Sequence, residues 1–398
     1  MSFALRQIFQ QTFSRTAATM VLIAVLAATI PAFAQTETVL YNFCSRPKCV
    51  DGSGPVGSLA RDSKGNFYGS TTAGGKFNNG TVFKLTPEGK ETVVYAFTGK
   101  NDGGYPYGVV RDGSGNLYGV NVNGGAYGQG TVFEVNSDGV ESTLYTFGTV
   151  SGDGKQPIGT LVLDSAGNLY GVTGEGGAIG NGSIFKVTLS GTETILHSFG
   201  GPYGSSVDGY LPQAGLSIDK NGNLFGTTPY GGSNDDGVVF EYSASGEYTI
   251  LADFESTGPA LPYSRLTLGA RGVIYGTSLA GGTSNLGTVF SLTPSGGGAW
   301  TVDTLYSFSA VVGDEPQTAV LAKGGILYGT TYRKGEGGYG SVFGLAADGT
   351  LTTLASFSGT STGSYPAGNL QIDSAGNLYG VGFEGGTMGG GVVYEVTP

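Results

Sequence analysis

The chain has one histidine, His197, and two cysteines, Cys44 and Cys49, in 398 residues. Transition-metal centres are built largely from clusters of these two side chains, so such a centre has almost nothing to draw on. Charge is also scarce: Asp, Glu, Lys and Arg make up 12% of the residues, and the balance is acidic, at −11. Nucleic acids and anionic membranes are held by Lys and Arg that neutralise phosphates, which excludes both as expected partners. Beyond an apolar run at 17–30, no stretch approaches the roughly 20 apolar residues that a membrane-spanning helix needs.

That run is preceded by Arg6 and Arg15 and followed by the small residues "AFA" at 32–34. It reads as a secretory signal peptide over residues 1–34, leaving 35–398 as a single domain that is secreted or periplasmic. The leader holds no acidic residue, so its removal takes the net charge from −11 to −13. No membrane insertion is expected after cleavage. In an oxidising compartment "CSRPKC" is expected to close a local disulfide between Cys44 and Cys49, contributing about 2 kcal/mol through loop-closure entropy.

Glycine, in contrast, is abundant at 75 residues, and Tyr, Phe and Trp number 23, 21 and 1. This mixture suits many short strands joined by tight turns. The segment "GNFYGSTTAGG" at 65–75 returns six times in diverged form, with the glycine after the aromatic at 69, 119, 171, 226, 276, 329 and 380. One repeated unit of 50 to 55 residues therefore organises the chain. Each unit reads as four short strands, exemplified by "PIGTLVLD", "NLYGVT", "GSIFKVT" and "TETILHSF" between 157 and 199. Because every connection is short, each unit should form an antiparallel sheet with apolar side chains on both faces.

Sheets of this kind must pack face to face, and arranging them around a ring gives an all-β, seven-bladed β-propeller. The chain ends point to closure. An unpaired fourth strand at 38–43 precedes the first full repeat, and the last repeat stops at a third strand, 391–396. Pairing the two completes the seventh blade and protects its edge. A monomer is expected.

The register settles several conspicuous side chains. His197 occupies a position that is tyrosine at 41, 95, 145 and 306, so packing explains it without a catalytic role. Tyr68, Tyr118 and Tyr170, with Phe83, Phe133 and Phe185, recur once per unit and are assigned to the core between blades. The glycine after each second-strand aromatic makes room for a neighbouring ring or backbone. "DKNGN" at 219–223 lacks the further carboxylates of a calcium loop and is read as a hairpin turn.

The pattern "GNLYGTT..GG....GTVFKL...G..TVLYSF" resembles the GloVer tandem repeats across residues 37–398. The resemblance implies export and a propeller-like fold, and it supplies no catalytic residues. Members with surface anchors carry tails after the repeats, a feature this chain does not share. The order D-x-x-G-N-[LF]-Y is more distantly similar to NHL-type propellers, which are mostly interaction modules, with lactonases and lyases among their relatives.

Candidate functional residues lie where the units differ. Loops from fourth to first strand and from second to third emerge on one face. The former carry Asp51, Asp102, Asp153, Asp208 and Asp314, which either cap their own turns or form a carboxylate rim for Ca²⁺ or sugar hydroxyls. Tyr127, Tyr230 and Tyr339 are candidate contacts on the latter. In the fifth unit Arg265 stands where the others have Ser58, Val109, Thr160, Gly215, Ala319 or Asn369. It either pairs with Glu255 or Asp314 or anchors an anionic ligand at the channel mouth. A non-catalytic scaffold for a glycan, peptide or envelope protein fits this set best. The alternative is a hydrolase or lyase with a metal or a carboxylate pair at the channel mouth.

Overall fold

The computed structural model describes residues 36–200, 207–255, 257–316 and 321–398. The signal-peptide expectation for residues 1–34 lies outside the described residues. Within the remainder, seven antiparallel sheets form the blades of a propeller. In blade 1 the strands Ser53–Arg61, Phe67–Ala73, Thr81–Leu85 and Glu91–Ala96 pair in chain order from the axis outward. The middle strands are buried on both faces, as in Leu224–Thr228 of blade 4, where every side chain is enclosed. Only neighbouring blades on each side can cover such a sheet, which is why a single repeat cannot stand alone.

Local chemistry sets the hairpins. Asp62 Oδ1 accepts hydrogen bonds from the backbone N–H of Lys64 and Asn66, both at 2.9 Å, turning the chain between first and second strands. Asp112, Asp164, Asp219 and Asp373 repeat the arrangement, so "DKNGN" is a hairpin turn. Blade 5 replaces it with a short 3-10 turn, Ala270–Gly272, in which Arg271 adopts a left-handed φ of 57°.

In five blades the innermost strand is interrupted just after its proline. In blades 1 and 3 the register shifts between Val56 and Ala60 and between Ile158 and Val162. In blades 2, 5 and 7 the interruption splits the strand in two, as in Pro259–Pro262 and Thr267–Leu268. At these interruptions Ser58, Thr160, Arg265 and Asn369 line the axial cavity.

The ring closes with both ends of the propeller chain in one sheet. Thr36–Asn42 pairs antiparallel with Val392–Thr397, Thr38 lying opposite Glu395. These bounds differ by one or two residues from 38–43 and 391–396. Phe43, next in the chain, is fully buried and packs edge-on against Phe83 of blade 1 at 4.9 Å. Phe97 meets Phe133 and Phe147 meets Phe185 in the same way, at 4.9 and 5.1 Å. A Cβ on Gly69 would come within 2.6 Å of the Phe83 ring, so the glycine after each second-strand aromatic is a seat for that ring.

The terminal strand thus makes the same aromatic contact as an internal one. Phe43→Ala is expected to cost about 3–5 kcal/mol in denaturant unfolding, matching Phe97→Ala. A silent Phe43→Ala would show that the terminal strand is peripheral.

Candidate ligand site in the axial channel

The kinked innermost strands of blades 1 to 5 and 7 surround a cavity of about 70 Å³ on the axis. Polar side chains from four blades line it, namely Ser58, Thr160, Gln213 and Asn369, together with the rings of Tyr107 and Tyr263. The Tyr263 hydroxyl donates to Gln213 Oε1 at 3.1 Å, and the Ser58 N–H donates to Thr160 Oγ1 at 3.2 Å. Glycines keep the strands close here: a Cβ on Gly57 would lie 2.6 Å from the Cα of Gly108.

Arg265 is the only charged residue in this lining among the described residues. Its Nε donates to Ser217 Oγ at 3.3 Å, and Ser217 Oγ donates onward to the Leu266 carbonyl. Neither terminal nitrogen has an acceptor among the described residues, and Arg265 makes no ion pair with Glu255 or Asp314. Asp314 instead pairs with Lys334, Oδ2 to Nζ at 2.7 Å. Burial lowers the Arg265 pKa to about 10, so the group remains protonated at neutral pH. An unpaired cation therefore faces a small polar cavity inside an acidic protein.

The rim aspartates lie apart, each at its own blade junction. Asp51 accepts from the Tyr41 hydroxyl at 2.8 Å and the Ser45 N–H at 2.9 Å. It thereby orders the loop that the Cys44–Cys49 disulfide closes. Asp102 accepts from Tyr95 at 3.0 Å and the Thr98 N–H at 2.7 Å, and Asp153 from Tyr145 at 3.0 Å and the Gly148 N–H at 2.7 Å. At the next junction histidine takes the tyrosine's place, with His197 Nε2 and Asp208 Oδ2 3.0 Å apart. The imidazole also stacks on Tyr248 at 4.0 Å. No group of three or more His, Cys, Asp or Glu among the described residues is placed to hold a metal ion. Tyr127, Tyr230 and Tyr339 are exposed on the loop face; Tyr230 stacks on Tyr210, and Tyr339 lies edge-on to Tyr365.

A further set of residues escaped the sequence reading. Glu91, Glu141 and Glu193 begin the outermost strands of blades 1 to 3, and Glu37 is the second residue of the terminal strand; Glu91 is buried and the other three are half-buried. Burial raises Glu37, Glu91 and Glu193 to about 7 and Glu141 to about 6; nearby Asp51, Asp102 and Asp153 add to the effect at Glu91, Glu141 and Glu193. Arg46, from the disulfide loop, offsets part of the effect at Glu91 through a 2.7 Å ion pair. Their recurrence as E-[TS] before the fourth strand was the available signal, but burial across a junction has no sequence signature.

Two outcomes follow. Groups with folded pKa values raised above the unfolded value stabilise fully below it and lose that contribution as pH rises through the folded value. Stability should therefore fall between about pH 4.5 and 7. Glu193→Gln should flatten this dependence, raising the unfolding midpoint at pH 8 and leaving it unchanged at pH 4; a parallel profile would refute the assignment. His197→Tyr, which restores the tyrosine–aspartate pair of the other junctions, should change stability by less than about 1 kcal/mol. A larger loss in thermal unfolding would give the imidazole a role beyond packing.

Comparison with known proteins agrees with the geometry. The Gloeobacter/Verrucomicrobia repeat matches at residues 54–277 and 212–398. No curated protein matches. Among solved structures, the chain is similar to the extracellular domain of BT4673 from B. thetaiotaomicron, a protein assigned to the hybrid two component systems. The TM-score is 0.58 at 14% identity, covering 90% of this chain and 39% of that one. Similarity to a puromycin hydrolase has a TM-score of 0.53 at 13% identity, over 84% of this chain and 52% of the other. A gluconolactonase from Xanthomonas campestris gives 0.47 at 13% identity, over 91% and 89%. At these identities the likeness concerns the fold alone. With the repeat model spanning most of the sequence and all seven blades in place, the chain belongs to the Gloeobacter/Verrucomicrobia repeat family.

Proposed function

We propose that the protein is an exported, non-catalytic binding module that takes an anionic group of its ligand into the axial channel. The observation that carries this reading is the unpaired guanidinium of Arg265 in an otherwise uncharged polar cavity. Arg265 is half-buried, and a carboxylate received in two-point contact by its terminal nitrogens would give this cation the charged partner it lacks. Hydroxyls and amides from Ser58, Thr160 and Gln213 supply further polar contacts around the same space. At about 70 Å³ the cavity suits one carboxylate-sized group. The rest of the ligand, glycan or peptide, then lies across the loop face, where Tyr127, Tyr230 and Tyr339 are exposed. Asp51, Asp102, Asp153, Asp208 and Asp314 shape that face by ordering its loops, and Ca²⁺ is not required for the mechanism. The Cys44–Cys49 disulfide supports export.

A thermal-shift screen of acidic glycans and peptides with free carboxyl termini tests the proposal. Stabilisation by such a ligand should disappear in Arg265→Ala and persist in Lys334→Ala. Stabilisation that survives Arg265→Ala would move the site elsewhere.

A further inference from the structure

We infer a second binding site, for an acidic oligosaccharide, on the face opposite the variable loops and centred on Trp300. Blade 5 departs from the other blades at this face. Its third and fourth strands, Thr288–Gly296 and Ala299–Ser307, have nine residues each, against five and six for Thr81–Leu85 and Glu91–Ala96 in blade 1. The extension bends through Gly296, Gly297 and Gly298, all at positive φ, and brings Trp300 opposite Pro294. Trp300 is the only tryptophan in the chain.

The indole packs against the core shared by blades 4 and 5, beside Leu268 and Val302, and also borders an open cleft of about 620 Å³. That volume falls within the roughly 300–1,000 Å³ of ligand pockets. The Asp219–Asn221 part of the blade 4 hairpin and the Ala270–Gly272 turn of blade 5 form the opposite walls. Asp219 is already engaged by the N–H groups of Asn221 and Asn223 at 2.8 and 2.9 Å. Lys220 and Arg271 are exposed and make no ion pair among the described residues. The uncommitted charge of the cleft is therefore positive, on a chain whose net charge is −11.

An aromatic ring flanked by two unpaired cations matches a pyranose bearing a carboxylate. The apolar face of the sugar stacks on the indole, and its acid group meets Arg271 and Lys220. A neutral sugar would use only the stacking surface. This site is separate from the channel and does not depend on Arg265.

Because Trp300 is unique, intrinsic fluorescence reports on this cleft directly. The full-length mature protein would be titrated with tetragalacturonate and, in parallel, with cellotetraose. A saturable change in emission with tetragalacturonate is expected, with cellotetraose about tenfold weaker or worse. The exposed pair Lys220→Ala/Arg271→Ala should weaken tetragalacturonate about tenfold or more, whereas Arg265→Ala should leave the signal intact. No emission change with tetragalacturonate, equal response to the neutral sugar, or indifference to the double substitution would each overturn the inference.

Discussion

Every blade junction rests on one contact between a glycine and a proline. The glycine before the third strand of one blade lies against the proline of the next blade's innermost strand: Gly80 on Pro106, Gly130 on Pro157, Gly182 on Pro212, Gly237 on Pro262, Gly287 on Pro316 and Gly340 on Pro366. Gly391 on Pro55 joins the last blade to the first. A Cβ on Gly237 would sit 2.6 Å from the Pro262 ring, and the φ of 92° disfavours any other residue there. Beside the contact, the N–H preceding the proline donates to the neighbouring loop, as from Tyr105 to the Asn79 carbonyl at 3.0 Å. This pairing fixes how closely blades approach. The phenylalanine contacts between blades and the narrowness of the channel both depend on it.

Uniform junctions leave room for one blade to deviate. Blade 5 keeps Pro262, Gly287, Gly276 and Phe290 and departs in its first hairpin turn and in the length of its outer hairpin. It carries Arg265 toward the axis, Arg271 in its turn and Trp300 on a lengthened hairpin. Both proposed binding sites therefore draw on the blade whose departures leave the glycine–proline junctions intact. The rim shows the opposite tendency: Tyr41–Asp51, Tyr95–Asp102 and Tyr145–Asp153 repeat one hydrogen bond, and His197–Asp208 preserves it with a different ring.

Much of the fold was legible because the repeat places equivalent residues at equal spacing. Seven blades, the shared terminal sheet and the core roles of Phe83, Phe133 and Phe185 all follow from register, and the disulfide from the spacing of Cys44 and Cys49. What escaped depends on contacts across junctions. Glycine and proline could be seen to recur, but their partnership joins residues such as Gly80 and Pro106 in different units. The groups that act on Glu91 and Glu193, namely Arg46 with Asp51 and Asp153, likewise lie about 40 residues or more away in the chain. Arg265 was singled out by its departure from the repeat. Its isolation became visible only once Asp314 was found with Lys334. The insertion "SGGGAW" at 295–300 marks the lengthened hairpin in the sequence, but the cleft beside Trp300 also needs the blade 4 turn, which lies about 75 residues or more earlier in the chain.

A closed ring makes the junction between Gly391 and Pro55 equivalent to any internal one. The most direct measurement compares Gly391→Ala with Gly237→Ala in equilibrium denaturant unfolding. Equal losses of about 2–4 kcal/mol, each in a single transition, are expected from left-handed strain plus overpacking. A Gly391→Ala protein as stable as the parent, alongside a destabilised Gly237→Ala, would contradict closure through this contact.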